Sequence, residues 1–192
     1  MTETTLAPVT KSFRSLAELR AAVPDILAAP KDAGHLDLIV SRPDHGKRLT
    51  PERSPVSLAR GVEGDHWAKG CHLSTDDGSP HPDVQICIMP SRVIRAIAGP
   101  VAEWPPAGDN LFIDMDLTPE NMPPGTKFAL GTAEMVVTTE PHNGCQNFID
   151  RYGRDAVIFV NTGLGKLHRF RGIYARVTQD GVVAVGDKLR KL

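Results

Sequence analysis

The sequence predicts a β-rich α+β fold, a compact barrel or sandwich of mostly antiparallel strands with a few short helices. Its 17 glycines and 16 prolines among 192 residues are typical of a chain with many turns. Several short segments alternate apolar and polar residues, which is the pattern of half-buried strands. Few segments carry apolar residues at helical spacing. A chain of this length corresponds to about one domain.

The N-terminal region predicts a tail followed by short helices. Ser15 and Glu18 have the spacing of a capping box, and apolar residues follow at helical intervals. Pro24 ends this helix and suits the first turn of a second one. We therefore expect residues 1–34 to form a tail and helical extension, and residues 35–192 to form a single barrel domain.

The first half of the domain predicts two strands separated by a long loop. Residues 36–40 and 84–88 alternate in the manner of half-buried strands. Residues 41–82 are rich in Gly, Pro, His and charge, and a loop of that length is unusual unless it serves function. Residues 91–98 place apolar side chains on one helical face, and residues 101–115 are expected to be mostly extended.

The second half predicts paired strands around a helical segment. Residues 126–139 form two strands joined by a Gly-Thr turn, and residues 172–185 form a hairpin around an Asp-Gly turn. Residues 146–152 are expected to be helical, since a glycine suited to a C-terminal cap follows them. Residues 155–161 fit either a strand or a helix, because they are apolar almost throughout.

Charge and motif content exclude several functional classes. The net charge is −1, although residues 151–192 carry a net +6 and residues 1–150 a net −7. This basic segment favours a small anion over nucleic acid, because no aromatic platform for base stacking accompanies it. The Walker, dinucleotide-binding and nucleophile-elbow motifs are missing. Three cysteines without a CxxC pair, and no signal or membrane-spanning segment, predict a cytoplasmic protein with no membrane partner.

Cys145 is the strongest candidate for chemistry. It lies in the segment Pro141–Gln146, just before a predicted helix. With Asn143 as the N-cap and Gln146 at the third helical position, Cys145 falls in the first turn, where backbone N–H groups favour a thiolate. His142 is a second candidate catalytic residue, and it could assist together with the downstream Arg151 and Arg154 if they fold back toward the cysteine. The alternative is a structural cysteine buried beneath the helix.

Two polar turns and one basic loop are candidates for ligand binding. Asp65 and His66 end a turn with two glycines, and they could orient a ligand or exchange protons. Asn110 lies in a similar turn that leads into a strand. Lys47 and Arg48 could bind phosphate, with solvated surface charges as the alternative.

A third possibility is a transition-metal site in the long loop. His66, Cys71, His72 and His81 carry imidazole and thiol groups that could ligate zinc or a similar ion. Their spacing matches no known ligand motif, so incidental histidines in a polar loop remain the alternative.

Five segments, in order along the chain, resemble the motifs of the MOSC domain, a family named for the C-terminal domain of molybdenum cofactor sulfurase. They are Gly61–His66, Gly108–Leu111, Pro124–Thr126, Pro141–Cys145 and Arg171–Asp187. The similarity extends over about residues 42–189 and is closest to bacterial stand-alone members. Three positions depart from the family's usual P-R-x-P-C and G-E-N-L forms, since this chain has His142, Gly144 and Asp109 there, and residues 76–82 resemble a local insertion.

The resemblance implies a role in sulfur or molybdenum cofactor chemistry. Some members of the family accept sulfur as a cysteine persulfide from pyridoxal-phosphate-dependent desulfurases. Others bind the molybdenum–pterin cofactor and reduce N-hydroxylated compounds. By this resemblance Cys145 is the sulfur carrier or the molybdenum ligand, and the partners are a cysteine desulfurase or cofactor donor and a small-molecule substrate. A non-catalytic binding module of the same fold is the alternative.

The resemblance also suggests which residues would contact the cofactor. Those expected to line its pocket are Asp65, His66 and Asn110. Those expected to contact its phosphate are Lys47, Arg48, Arg171 and Arg176. Arg171 and Arg176 lie on one strand segment, so one of them is expected to face solvent.

Overall fold

The computed structural model describes residues 13–192, so the first twelve residues of the expected tail lie outside the described part. The helices are α1 (Leu16–Ala21), α2 (Val23–Leu27), α3 (Ser91–Ala98), α4 (Gln146–Tyr152), α5 (Arg154–Asn161) and α6 (Gly163–Leu167). The strands are β1 (His35–Ile39), β2 (Arg53–Ser57), β3 (Gly61–Val62), β4 (Ile86–Pro90), β5 (Leu111–Asp114), β6 (Lys127–Leu130), β7 (Ala133–Val137), β8 (Ile173–Gln179), β9 (Gly181–Ala184) and β10 (Arg190–Lys191).

The strands form two sheets. Seven strands make the larger one in the order β1-β5-β4-β8-β7-β6-β10, and β3-β2-β9 make the smaller one. Among these pairs only β4 and β5 run parallel. The larger sheet curls until its ends meet, because the backbone of residues 34–36 bonds to residues 186–189 just before β10. The predicted strand-rich α+β fold with a barrel-like sheet is confirmed.

Alternate residues of the central strands face two different cores. On β5, Leu111 and Ile113 point into the barrel interior, whereas Phe112 points toward the helices. On β4, Ile88 faces the interior and Met89 faces the helices. The prediction of a half-buried strand was therefore wrong for β4, which is buried on both faces. The physical reason is its central place, with β5 and β8 on its edges and helices over its outer face.

The helices form a layer against the outside of the barrel. The capping box of Ser15 and Glu18 is present, and α3 ends at Gly99, whose φ is 78°. Leu19 of α1 and Ile26 of α2 are buried in the same core as α3, α4 and α5. The N-terminal extension thus packs on the helical layer. Within residues 13–192, no helix has the length and apolarity needed to cross a membrane.

The predicted hairpin in residues 172–185 was wrong in its pairing. Both strands exist and the Asp-Gly turn separates them, but β8 pairs with β4 and β7, whereas β9 pairs with β2 in the smaller sheet. Because β4 and β7 already occupy the two edges of β8, no edge remains for β9. The Asp180 side chain instead accepts a hydrogen bond from Leu58 N–H at 2.8 Å, joining the turn to the chain after β2.

Three other segments differ from expectation. The long loop contains β2 and β3, which the sequence hid because β2 includes Pro55 and only one other apolar residue. The ambiguous segment is the helix α5. Residues 101–107 form two short 3₁₀ turns, Val101–Glu103 and Pro105–Ala107, in place of extended chain.

Candidate functional site

A buried carboxylate, Asp65, organises the candidate site. It accepts hydrogen bonds from the backbone N–H, Nε and Nη2 of Arg42 at 3.0, 2.8 and 3.0 Å. Trp67 N–H and Asn110 Nδ2 also donate to it, at 3.0 and 2.9 Å. Burial acts to raise the pKa of Asp65, but hydrogen bonds and charge from Arg42 outweigh this and lower it. Asp65 is therefore ionised at neutral pH. Its hydrogen bonds join the turn after β3 to Arg42, which follows β1, and to Asn110, which precedes β5.

Asn110 connects the same network to the barrel. Its Nδ2 donates a second hydrogen bond to Val40 O at 3.2 Å, and its Oδ1 accepts from Cys87 N–H at 3.0 Å. Asn110 is fully buried, and so is the carboxylate of Asp65. The structure brings these two predicted pocket residues together, and it uses their hydrogen bonds inside the protein.

A second buried ion pair joins Asp109 to Arg171. Nη1 of Arg171 lies 2.8 Å from both carboxylate oxygens, and the guanidinium carbon lies 4.8 Å from the ring centre of Phe148. Burial raises the pKa of Asp109, while the charge of Arg171 opposes this effect; the two short contacts are those of an ion pair. The sequence predicts Arg171 as a phosphate contact, whereas the structure commits its Nη1 to Asp109.

His142 lies in the wall of the same network. Its ring centre is 4.3 Å from that of Tyr174, and its Nε2 is 3.7 Å from Asp109 Oδ1. Burial, followed by the positive charges of Arg171 and Arg42, lowers the pKa of His142 well below 6.5. His142 is neutral at pH 7 for this reason, and it does not supply the positive charge that an arginine would bring to the loop.

A cleft of about 210 Å³ opens between residues 138–143 and 165–173. His142 and Arg171 line it, as do Lys166 and Arg169. His142 Nδ1 and Arg171 Nε are both buried and have no hydrogen-bond partner within the described residues. Unpartnered buried polar atoms are costly, so two of the residues that line the cleft each carry a polar atom whose hydrogen-bonding capacity is unmet.

Cys145 lies at the start of α4, two residues after Asn143, which lines this cleft. It is a free, exposed cysteine and is itself the N-cap of the helix, with no side-chain capping hydrogen bond. The predicted cap at Asn143 was wrong, because the backbone turns into the helix two residues later, where Phe148 N–H bonds to Cys145 O at 2.9 Å. The alternative of a buried structural cysteine is excluded by its exposure.

The other two cysteines are less exposed than Cys145. Cys87 is buried on β4 with Arg42 Nη1 3.5 Å from its sulfur, and burial raises the pKa of its thiol. Cys71 is half-buried and donates to Leu73 O at 2.8 Å. Both contribute to a small cluster around Tyr174.

The proposed metal site in the long loop does not form. Among residues 13–192, no three His, Cys, Asp or Glu side chains are grouped so that they could hold a metal ion. His66 Nδ1 contacts Arg42 O at 2.8 Å and His81 Nδ1 accepts from Asp83 N–H at 3.2 Å. The ring centre of His72 lies 6.2 Å from that of Tyr174. With Cys71 bonded to its own loop, the ligands are dispersed.

The other three residues predicted to contact phosphate are not among those that line the cleft. Lys47 is exposed, with Asp44 3.8 Å away, and Arg176 is exposed, with Asp83 3.4 Å away. Arg48 packs near the Pro105 turn, where its Nε donates to Pro105 O at 3.3 Å. Burial and the positive charge of Arg151 lower the pKa of Arg48, so two cations approach each other there.

Several residues of the site escape sequence reasoning. Arg42 is the main partner of Asp65, yet nothing in its local sequence marks it. The ring of Tyr174 packs against that of His142 at an interplanar angle of 35°, but Tyr174 lies in the apolar–polar alternation of an ordinary strand. Lys166 and Arg169 line the cleft, and their only signal is the basic character of the C-terminal segment.

Comparisons with known proteins agree with this architecture. YiiM from Escherichia coli is 21% identical with a TM-score of 0.52, covering 82% of this chain and 69% of that chain. The YuaD protein from Bacillus subtilis is 16% identical with a TM-score of 0.56, covering 81% and 93%. A crystal structure described as a hypothetical protein is 20% identical with a TM-score of 0.55, covering 84% and 69%. At these identities the likeness concerns the fold alone.

Sequence comparison adds the family. The search of curated proteins finds no match. The family model described as MOSC domain matches residues 62–190, which include the Asp65 turn, the Asp109–Asn110 turn, the Cys145 loop and Arg171. That span is more than half of the chain, and the chain therefore belongs to the MOSC domain family.

Proposed function

We propose that this protein is a sulfur carrier in sulfur or molybdenum cofactor chemistry, with Cys145 as the residue that holds sulfur as a persulfide. The observation that carries the proposal is the exposed thiol of Cys145, held at the start of α4 and two residues beyond Asn143 of the cleft wall. An exposed sulfur on ordered backbone suits exchange with another protein. The free thiols suit a reducing, cytoplasmic setting.

The proposed donor is a cysteine desulfurase, and pyridoxal phosphate acts only in that partner. The Cys145 thiolate attacks the terminal sulfur of the donor's persulfide. A new S–S bond forms on Cys145, the donor's S–S bond breaks, and the donor cysteine leaves as a thiolate with the bonding electron pair. The proton of the terminal sulfur is retained on the new persulfide or lost to solvent, so no further oxidant or reductant is needed.

A second candidate is binding of the molybdenum–pterin cofactor. The unpartnered Arg171 Nε and His142 Nδ1, with Lys166 nearby, fit an anionic or polar end of such a group. Arg171 and Lys166 would hold the phosphate, and Cys145 would offer its sulfur to the metal. When bound, the cofactor supplies the two-electron redox chemistry that would reduce an N-hydroxylated small molecule.

The experiment compares the wild type with Cys145→Ala and with Cys71→Ala as the matched control. Each protein is incubated with a cysteine desulfurase, pyridoxal phosphate and cysteine, and the cysteine-containing peptides are analysed by mass spectrometry. We expect one added sulfur atom on Cys145 in the wild type and in Cys71→Ala. Molybdenum content is measured on the same proteins expressed in a host that makes the cofactor.

Each outcome decides between the candidates. An unmodified Cys145 overturns the sulfur-carrier proposal. Molybdenum near one atom per chain, lost in Cys145→Ala, favours the second candidate and makes the protein a molybdenum-cofactor oxidoreductase. Neither sulfur nor molybdenum on the wild type favours a non-catalytic binding module of the same fold.

A further inference from the structure

The residue before Cys145 is held by the side-chain amide of Asn161. Gly144 N–H donates to Asn161 Oδ1 at 2.8 Å, and Asn161 Nδ2 donates to Gly144 O at 2.9 Å. The two hydrogen bonds close a ring between one side chain and both backbone polar groups of Gly144. Since Gly144 O belongs to the peptide group that joins Gly144 to Cys145, the ring fixes the plane from which Cys145 projects.

Close packing supports the same contact. A Cβ atom on Gly144 would lie 3.3 Å from Val160 Cγ2 and 3.5 Å from both Val157 Cγ2 and Asn161 Oδ1. The backbone of the loop therefore rests directly on α5, and glycine allows this approach. Downstream, Phe148 N–H and Ile149 N–H bond to Cys145 O at 2.9 and 3.2 Å, so the backbone is held on both sides of the cysteine.

The helix that carries Asn161 is itself firmly anchored. Ala156, Phe159 and Val160 of α5 are buried in the helical core. At its other end, the Asp155 carboxylate accepts a hydrogen bond from Leu16 N–H of the N-terminal extension at 2.8 Å. Asn161 therefore transmits the position of a packed helix to the cysteine loop.

We propose that Asn161 is the positioning residue of Cys145, through the reciprocal amide–backbone hydrogen bonds that hold Gly144 against α5. This inference rests on the proposed function of Cys145. Nothing in the sequence pattern pairs the two segments, which lie 17 residues apart. The role needs both hydrogen-bonding groups of an amide, since Gly144 offers one donor and one acceptor.

The test uses Asn161→Ala and Asn161→Asp in the full chain. The aspartate keeps the shape and the acceptor for Gly144 N–H, but it turns an oxygen toward Gly144 O in place of a donor. For Asn161→Ala, we expect amide hydrogen exchange at Gly144 to become roughly tenfold faster, equivalent to about 1.4 kcal/mol. The rate at which Cys145 accepts sulfur should fall by a similar factor in both variants. In Asn161→Asp, the pH profile of Cys145 alkylation should also move to higher pH, because a carboxylate is added beside the loop.

Asn121→Ala is the matched control. Asn121 Nδ2 also holds loop backbone with two hydrogen bonds, to Lys31 O at 2.9 Å and Asp116 O at 2.8 Å, away from the cleft. This variant should lose comparable thermal stability and leave exchange at Gly144 and the chemistry of Cys145 unchanged.

The possible results separate the two proposals. Unchanged exchange at Gly144 and unchanged alkylation of Cys145 in both Asn161 variants would overturn the positioning role. If Asn161→Ala fails to fold, the isosteric Asn161→Asp decides with the same readouts. Exchange and alkylation need no sulfur donor, so they test Asn161 even if Cys145 never carries a persulfide, a result that would remove the proposed function alone.

Discussion

Replacing Asp109 with leucine should destabilise the protein strongly. Asp109 is fully buried, Arg171 is nearly so, and the pair shares two contacts of 2.8 Å. Asp109→Leu keeps a branched side chain but leaves the guanidinium buried without its counter-charge. Breaking a buried pair in this way costs about 3–5 kcal/mol. That is a large part of the roughly 5–15 kcal/mol that stabilises a typical domain.

The assay is urea unfolding at pH 7, with thermal unfolding alongside. A loss of this size lowers the melting temperature by roughly 6–20 °C for a chain of this length. The slope of the unfolding free energy against urea should stay constant if only stability changes. In the double variant Asp109→Leu with Arg171→Met, most of the loss should be recovered, because two apolar side chains replace both charges beside Phe148.

The matched control is the exposed pair of Arg60 and Glu63, whose atoms lie 2.9 Å apart. Glu63→Gln should change the unfolding free energy by only about 0–1 kcal/mol, since solvent screens this pair. If Asp109→Leu cost no more than this control, or if the double variant were no more stable than the single one, the argument from burial would be refuted.

Two further predictions concern pH and thiol access. The pKa of His142 is lowered in the folded state, so the unfolded chain binds the proton first, and wild-type stability falls as the pH drops below about 6.5. His142→Phe should remove roughly 1 kcal/mol of the loss between pH 7 and 5.5 in urea unfolding; equal losses in both proteins would contradict this. Native-state alkylation with iodoacetamide, followed by mass spectrometry, should label exposed Cys145 first, then Cys71, and buried Cys87 last. Early labelling of Cys87 would contradict the fold.

Local signals in the sequence predicted local structure well. Ser15 and Glu18 form their capping box, and α3 ends at Gly99, because these features depend on residues only a few positions apart. Local signals did not predict which strands pair. The Asp-Gly turn at Asp180 separates two strands as expected, but which strands pair depends on which edges are free in the finished sheet. That information lies in the whole topology.

The candidate site shows the same contrast between features set by local sequence and contacts between distant segments. Asp65 and Asn110 could be predicted because they lie in glycine-containing turns, Cys145 because it precedes a predicted helix, and Arg171 because it lies in a motif that resembles the family's. Their partners do not stand out. Arg42 meets Asp65 across 23 positions, and the Asn161 amide meets Gly144 across 17. Such contacts arise only when the barrel and the helical layer are assembled.

The histidine at position 142 suits the charge balance of the buried network. Asp109 gives both carboxylate oxygens to Arg171, so one acid neutralises one guanidinium. His142 Nε2 lies only 3.7 Å from the same carboxylate. An arginine at position 142 would place a second cation there with no second acid to balance it, at a high desolvation cost. A neutral imidazole packed against the ring of Tyr174 fills the space without that cost. The neutral histidine at position 142 therefore fits a network that holds one acid for one guanidinium, and His142→Arg alone should destabilise the fold where His142→Phe would not.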